Sequence, residues 1–343
     1  MLIPTLLKWT AKSLRRLPMA ATVAGAGWIG YSVFKIDHHV PVPRPVPGTE
    51  GEIDLSDAGR IAVYQGERDT GTPVVLVHGV HAAASAYDMR PLFTGLGWDR
   101  RVIALDLPGF GHSERTDRRY TPQLMTDAVV GVVEKVAGEP VDLVALSLGA
   151  EYAAAAAVAR PDLVRSLTLI SPTGLGGSDE SRSPSNLRAS GRGSSWGGKL
   201  ADLIANPILG QAFYDLLVTR PSIRYFLGKS FVGETDAGYE NFAHLTSHRS
   251  GARFAPLAFV SGALFTPDVA DTVYRKVSCP VLVVYDTDPY SSFDGLPEVA
   301  GDMVNWRAVR ISPSAGLPHY ELPDETISAL TEFWDGLDPS DQV

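Results

Sequence analysis

Short apolar runs recur along the chain and alternate with stretches of helical periodicity. The runs are Arg60 to Tyr64, Val74 to His78, Arg101 to Asp106, Val141 to Leu146, Ser166 to Ile170, Val281 to Tyr285 and Trp306 to Ile311. Several are unbroken, as strands buried on both faces of a parallel sheet must be. Between them, Ser85 to Leu96, Pro122 to Ala137 and Leu148 to Arg160 read as helices, and a last helix runs from about Pro323 to Trp334. The alternation predicts an α/β fold: a mostly parallel sheet with helices on both faces.

The rhythm fails between Thr173 and about Val273. Gly174 to Gly198 is rich in Gly, Ser and Arg, and after it come segments dense in large apolar residues, among them Leu203, Ile208, Phe213, Leu217, Tyr225 and Phe231. This reads as an inserted helical cap, residues 174–273, over the carboxyl ends of the strands, where open α/β sheets bind ligands. The core is then 51–173 and 274–343.

The first 50 residues follow another pattern. On a helical wheel Lys8, Lys12, Arg15 and Arg16 share one sector, while Leu2, Ile3, Leu6, Leu7, Leu14 and Leu17 fill the other side, an amphipathic helix that Pro18 is expected to interrupt. Leu17 to Phe34 holds 18 uncharged residues, about 27 Å as a helix, enough to reach across a bilayer core. Residues 1–35 are therefore read as a membrane anchor with the body on the extracytoplasmic side. The alternatives are a cleaved signal, since Ala24-Gly25-Ala26 resembles a peptidase site, and a helix lying on the surface or packed on the body. Pro41, Pro43, Pro45 and Pro47 make 36–50 a stiff linker.

Charge sharpens this division. The chain carries −9 overall, but residues 1–40 hold five basic residues against Asp37 alone. The acidic body would repel phosphate backbones, which argues against a nucleic-acid partner. With 343 residues and 45% hydrophobic content, a core of this size needs no staple. The single cysteine, Cys279, excludes an intrachain disulfide and a Cys-based metal cluster.

Candidate chemistry centres on Val144-Ala145-Leu146-Ser147-Leu148-Gly149, a strand leading into a serine and then a helix. A nucleophile elbow needs a sharp turn that raises the hydroxyl above the sheet, with small residues two before and two after. Ala145 and Gly149 meet that need, with alanine where glycine is usual. Further on, Leu76-Val77-His78-Gly79, Asp106-Leu107-Pro108-Gly109-Phe110-Gly111-His112-Ser113 and Val281 to Pro289 follow strands in turn. Together these segments resemble the α/β-hydrolase fold family from about Val74 to Trp334. The resemblance implies a Ser–Asp–His triad and no cofactor.

On that resemblance Ser147 is the nucleophile, Asp288 the acid and His319 the base, with the backbone N–H groups of Leu148 and Val80 holding the oxyanion. Asp286 or Asp294 could replace Asp288, and His81 could replace Val80. The family usually reads Gly-His before a short run to Glu-x-Pro, whereas Gly316-Leu317-Pro318-His319-Tyr320-Glu321-Leu322-Pro323 puts the histidine three after the glycine. His319 is nonetheless the only histidine after His248. A serine at the elbow disfavours dehalogenase and epoxide-hydrolase chemistry, which use aspartate there.

Other candidates have plainer readings: His78 and His112 as loop structure, and His244 and His248 as packing rather than a metal pair. The sequence thus predicts a membrane-associated serine hydrolase of a hydrophobic carboxylic ester. Amide or carbon–carbon bond hydrolysis, or a silent binding protein of the same fold, are the alternatives.

Overall fold

The computed structural model describes residues 11–176 and 206–337. The first ten residues, which hold Lys8, and most of the Gly/Ser/Arg-rich stretch lie outside them. The sheet has eight strands: β1 (Thr49–Leu55), β2 (Gly59–Gln65), β3 (Val74–Val77), β4 (Val102–Leu105), β5 (Val141–Leu146), β6 (Val164–Ile170), β7 (Val281–Thr287) and β8 (Trp306–Ala315). Their order is β1-β2-β4-β3-β5-β6-β7-β8. β1 and β2 pair antiparallel at one edge, and every pairing from β4 through β8 is parallel. The carboxyl ends of β3, β5, β7 and β8 therefore share one edge.

Alternation along each strand builds two cores. Val75, Val77, Leu143, Ala145 and Val283 point into one, covered by α3 (Pro122–Val132) and α4 (Gly149–Ala159), and the alanine run Ala153 to Ala157 brings α4 close. Leu76, Val144, Leu146 and Val284 point into the other, with α2 (Arg90–Leu96) and the last helix, Pro323–Asp335, whose Trp334 is fully buried. β1 has no counterpart in the sequence reading. Its Glu50, Glu52 and Asp54 break up the apolar pattern, because only one side of this edge strand meets the protein.

Helices stand between β6 and β7: α5 (Pro207–Leu217), α6 (Arg220–Gly228), α7 (Ala237–Ser247) and α8 (Phe254–Val260). Against them lies α1 (Ala11–Lys35). Trp28 Nε1 donates to Ala212 O at 2.7 Å, Ser32 Oγ to Asp215 at 2.5 Å, and His38 Nε2 lies 3.0 Å from the same buried carboxylate.

This seam corrects the reading of the N-terminus. Pro18 does not interrupt the helix, which continues through it although proline offers no N–H to the preceding turn. No helix among the described residues is long and apolar enough to cross a membrane, so the transmembrane anchor is not upheld. The alanines and glycines that thin the segment's hydropathy are the reason, and its Trp28 and Ser32 are hydrogen-bonded to α5 instead.

Candidate active site

Ser147 leaves β5 with φ +51°, a left-handed conformation that is costly for a side-chain-bearing residue. Its N–H donates to Ile170 O at 2.8 Å, and α4 begins two residues later. The turn is this tight because Gly149 admits it: a Cβ there would fall 2.3 Å from the carbonyl oxygen of His78. On the facing loop, a Cβ on Gly79 would lie 3.6 Å from Ser147 Cβ. The strand-to-helix turn expected from the sequence is therefore formed, with the loop after β3 directly against it.

Leu148 and Val80 are both buried, and neither backbone N–H donates to another group among the described residues. His78 fixes this loop from below, its Nδ1 on Gly79 O at 2.5 Å and its Nε2 accepting from Leu107 N at 2.9 Å.

At the end of β7 the two aspartates separate by environment. Asp286 accepts from Arg310 Nε at 2.6 Å and Ser314 N at 2.8 Å. Burial raises its pKa, but the Ser314 and Arg310 bonds outweigh burial and hold the carboxyl below its usual range. It ties β7 to β8. Asp288 accepts from the N–H groups of Tyr290 and Ser291, and burial pushes its carboxyl up to about 6. Its free oxygen faces Gly316, where a Cβ would lie 3.1 Å away.

The residue directly after Gly316 is Leu317, where the family pattern has histidine. His319, two further on, is fully buried; its Nε2 donates to the backbone carbonyl of Asp88 at 2.7 Å, and Nδ1 has no hydrogen-bond partner. Burial holds its imidazole down at about 4. The structure thus joins His319 to neither Asp288 nor Ser147, and the expected triad is not assembled by hydrogen bonds.

An imidazole–carboxylate pair missed by the sequence reading lies in the loop after β3. His81 Nε2 is 3.2 Å from Asp88 Oδ2, the carboxylate is fully buried, and its other oxygen accepts from Tyr239 OH at 2.7 Å. Tyr239 belongs to α7, so no local sequence signal could have shown the group. His244 and His248 lie at the α1 seam, their rings 4.2 Å apart, beside a cavity of about 560 Å³ that Trp28, Tyr31 and Asp215 also line. Among the described residues no cluster is arranged to hold a metal. Burial raises the Cys279 thiol to about 11, away from reactivity.

A parallel sheet whose central strand ends in a strained serine at a strand-to-helix turn is the arrangement of the hydrolase class of α/β proteins. Residues 74–329 match the model of the alpha/beta hydrolase family, and the chain belongs to that family. It is 37% identical over 107 residues to a 2-hydroxymuconate semialdehyde hydrolase of Pseudomonas sp. (strain CF600), covering 31% of this chain and 38% of that protein. It is 33% identical over 129 residues to an esterase of Mycobacterium tuberculosis, covering 37% and 42%. These matches thus span about two-fifths of the curated relatives' length. Among solved structures, a membrane phospholipase A superposes with a TM-score of 0.65 at 20% identity, covering 96% of this chain and 99% of that one. A serine hydrolase involved in carbazole degradation gives 0.64 at 19%, covering 84% and 99%. At such identities these two show the fold.

Proposed function

We propose that this protein is a serine hydrolase that cleaves a carboxylic ester with a hydrophobic acyl or alcohol group through an acyl-enzyme on Ser147. The observation that carries the reading is the backbone of Ser147, held at φ +51° beside the unpaired amides of Leu148 and Val80. Strain of this kind persists only where the surroundings impose it, which supports a functional role for the serine. Ser147 Oγ attacks the acyl carbon, the amides hold the oxyanion, and the alcohol leaves; water then releases the acid. The esterase among the relatives supports the bond type, and the apolar composition of the inserted segment supports a hydrophobic substrate.

A second reading rests on a different observation. With Asp288 facing Gly316 and His319 turned to Asp88 O, the fold also suits a protein that binds a ligand without cleaving it. Fluorophosphonate labelling separates the two. Wild type is expected to label and Ser147→Ala to lose labelling entirely, whereas a folded wild type that stays unlabelled selects the binding role. An ester series of increasing chain length then tests the substrate class, with a preference for short hydrophilic esters counting against it.

A further inference from the structure

We infer that His81, oriented by Asp88, is the group that takes the Ser147 proton. The inference rests on Ser147 being the nucleophile and names its base. A general base needs an imidazole near the nucleophile, open to the reacting space, with its second nitrogen held by an acid.

Of the chain's eight histidines, three gather at the α1 seam: His38, His244 and His248. His39 is exposed beside Asp37, His112 pairs with Glu50, and both nitrogens of His78 are engaged with backbone. His319 is fully buried with no carboxylate on either nitrogen. His81 alone is a part-exposed imidazole held by a fully buried carboxylate on the loop that carries Gly79. It follows Gly79 by two residues, at most about 7 Å of chain, and Gly79 packs on Ser147. Its side chain is 40% exposed while that of Asp88 is 0% exposed.

The protonation pattern also fits. Tyr239, kept a neutral phenol by burial, donates to Asp88 Oδ1, so the carboxylate remains an acceptor for His81 Nε2–H. That leaves the lone pair on Nδ1, where it receives only a long 3.3 Å contact from Ala83 N–H. With substrate bound, Nδ1 exchanges that contact for the Ser147 hydroxyl. The Oγ–H bond breaks toward Nδ1 as Oγ bonds to the acyl carbon and the carbonyl electron pair moves to oxygen. The imidazolium, balanced by Asp88, returns the proton to the departing alcohol oxygen as the ester C–O bond breaks. In deacylation, water gives its proton to the same nitrogen, which passes it to Ser147 Oγ on release of the acid.

The test uses His81→Asn, which keeps a donor for Asp88 but has no basic nitrogen, beside His319→Gln and Ser147→Ala in the full chain. Fluorophosphonate labelling rate and p-nitrophenyl butyrate hydrolysis are expected to fall at least about 100-fold in His81→Asn, with an unchanged thermal midpoint and a larger loss than in His319→Gln. His81→Gly provides a second readout: added imidazole should restore labelling, which a merely structural role would not allow. A His81→Asn protein that labels like wild type overturns the inference and leaves Ser147 as nucleophile. Labelling that survives Ser147→Ala, or is absent from folded wild type, overturns both.

Discussion

The loops that follow β5 and β8 leave the same carboxyl edge of the parallel sheet, with two strands between them, yet they place their side chains differently. After β5 the backbone does the placing: Ser147 sits at φ +51°, and Gly149 lets α4 close on the carbonyl of His78. After β8 the backbone also turns at a glycine, Gly316 at φ +101° with Asp288 against it, but the side chain delivered next is Leu317. A nucleophile whose position is set by strand geometry tolerates little variation. A base carried on a loop depends on register, and here the register sends the imidazole of His319 inward.

Glycine substitutions break this comparison most severely. Gly149→Val places side-chain atoms where even a Cβ meets His78 O at 2.3 Å. It should cost about 3 kcal/mol in urea unfolding. Gly316→Ala, with a 3.1 Å contact to a movable carboxylate and a positive φ, should cost about 1–2 kcal/mol. Equal costs would mean that the two turns are equally constrained.

Acid sharpens the contrast next. The folded protein holds His319 at about 4 against 6.5 for an exposed imidazole, so below pH 6.5 the unfolded chain binds a proton that the folded state refuses. Stability is therefore fully present above 6.5 and declines as pH falls toward 4, with a slope for this one proton of up to about 1.4 kcal/mol per pH unit. His319→Gln should flatten that decline in chemical denaturation run across the range. An unchanged slope would show that the residue is not buried in its neutral form.

The smallest effect is a gain. Ser147→Gly relieves the left-handed conformation and should raise stability by about 1 kcal/mol while abolishing labelling. Loss of stability would show that the elbow carries no strain.

Much of this molecule is legible in the order of its residues. The apolar runs mark seven of the eight strands, and the Ala145, Ser147 and Gly149 spacing marks the elbow, because burial on both faces and close helix approach each leave a local signature. The N-terminal helix is not legible in this way: its length suggested a span, and only the bonds from Trp28 and Ser32 to α5 show where it lies. The histidines are the other gap. That His319 answers to a carbonyl 231 residues away, and that a buried carboxylate joins His81 to a tyrosine of the inserted helices, follows from packing between distant segments. Local propensity and periodicity determined the strands and the turn that raises the serine. Which imidazole meets which acid was decided by tertiary structure, because hydrogen bonds over a few ångströms depend on loops whose register no short window of sequence contains.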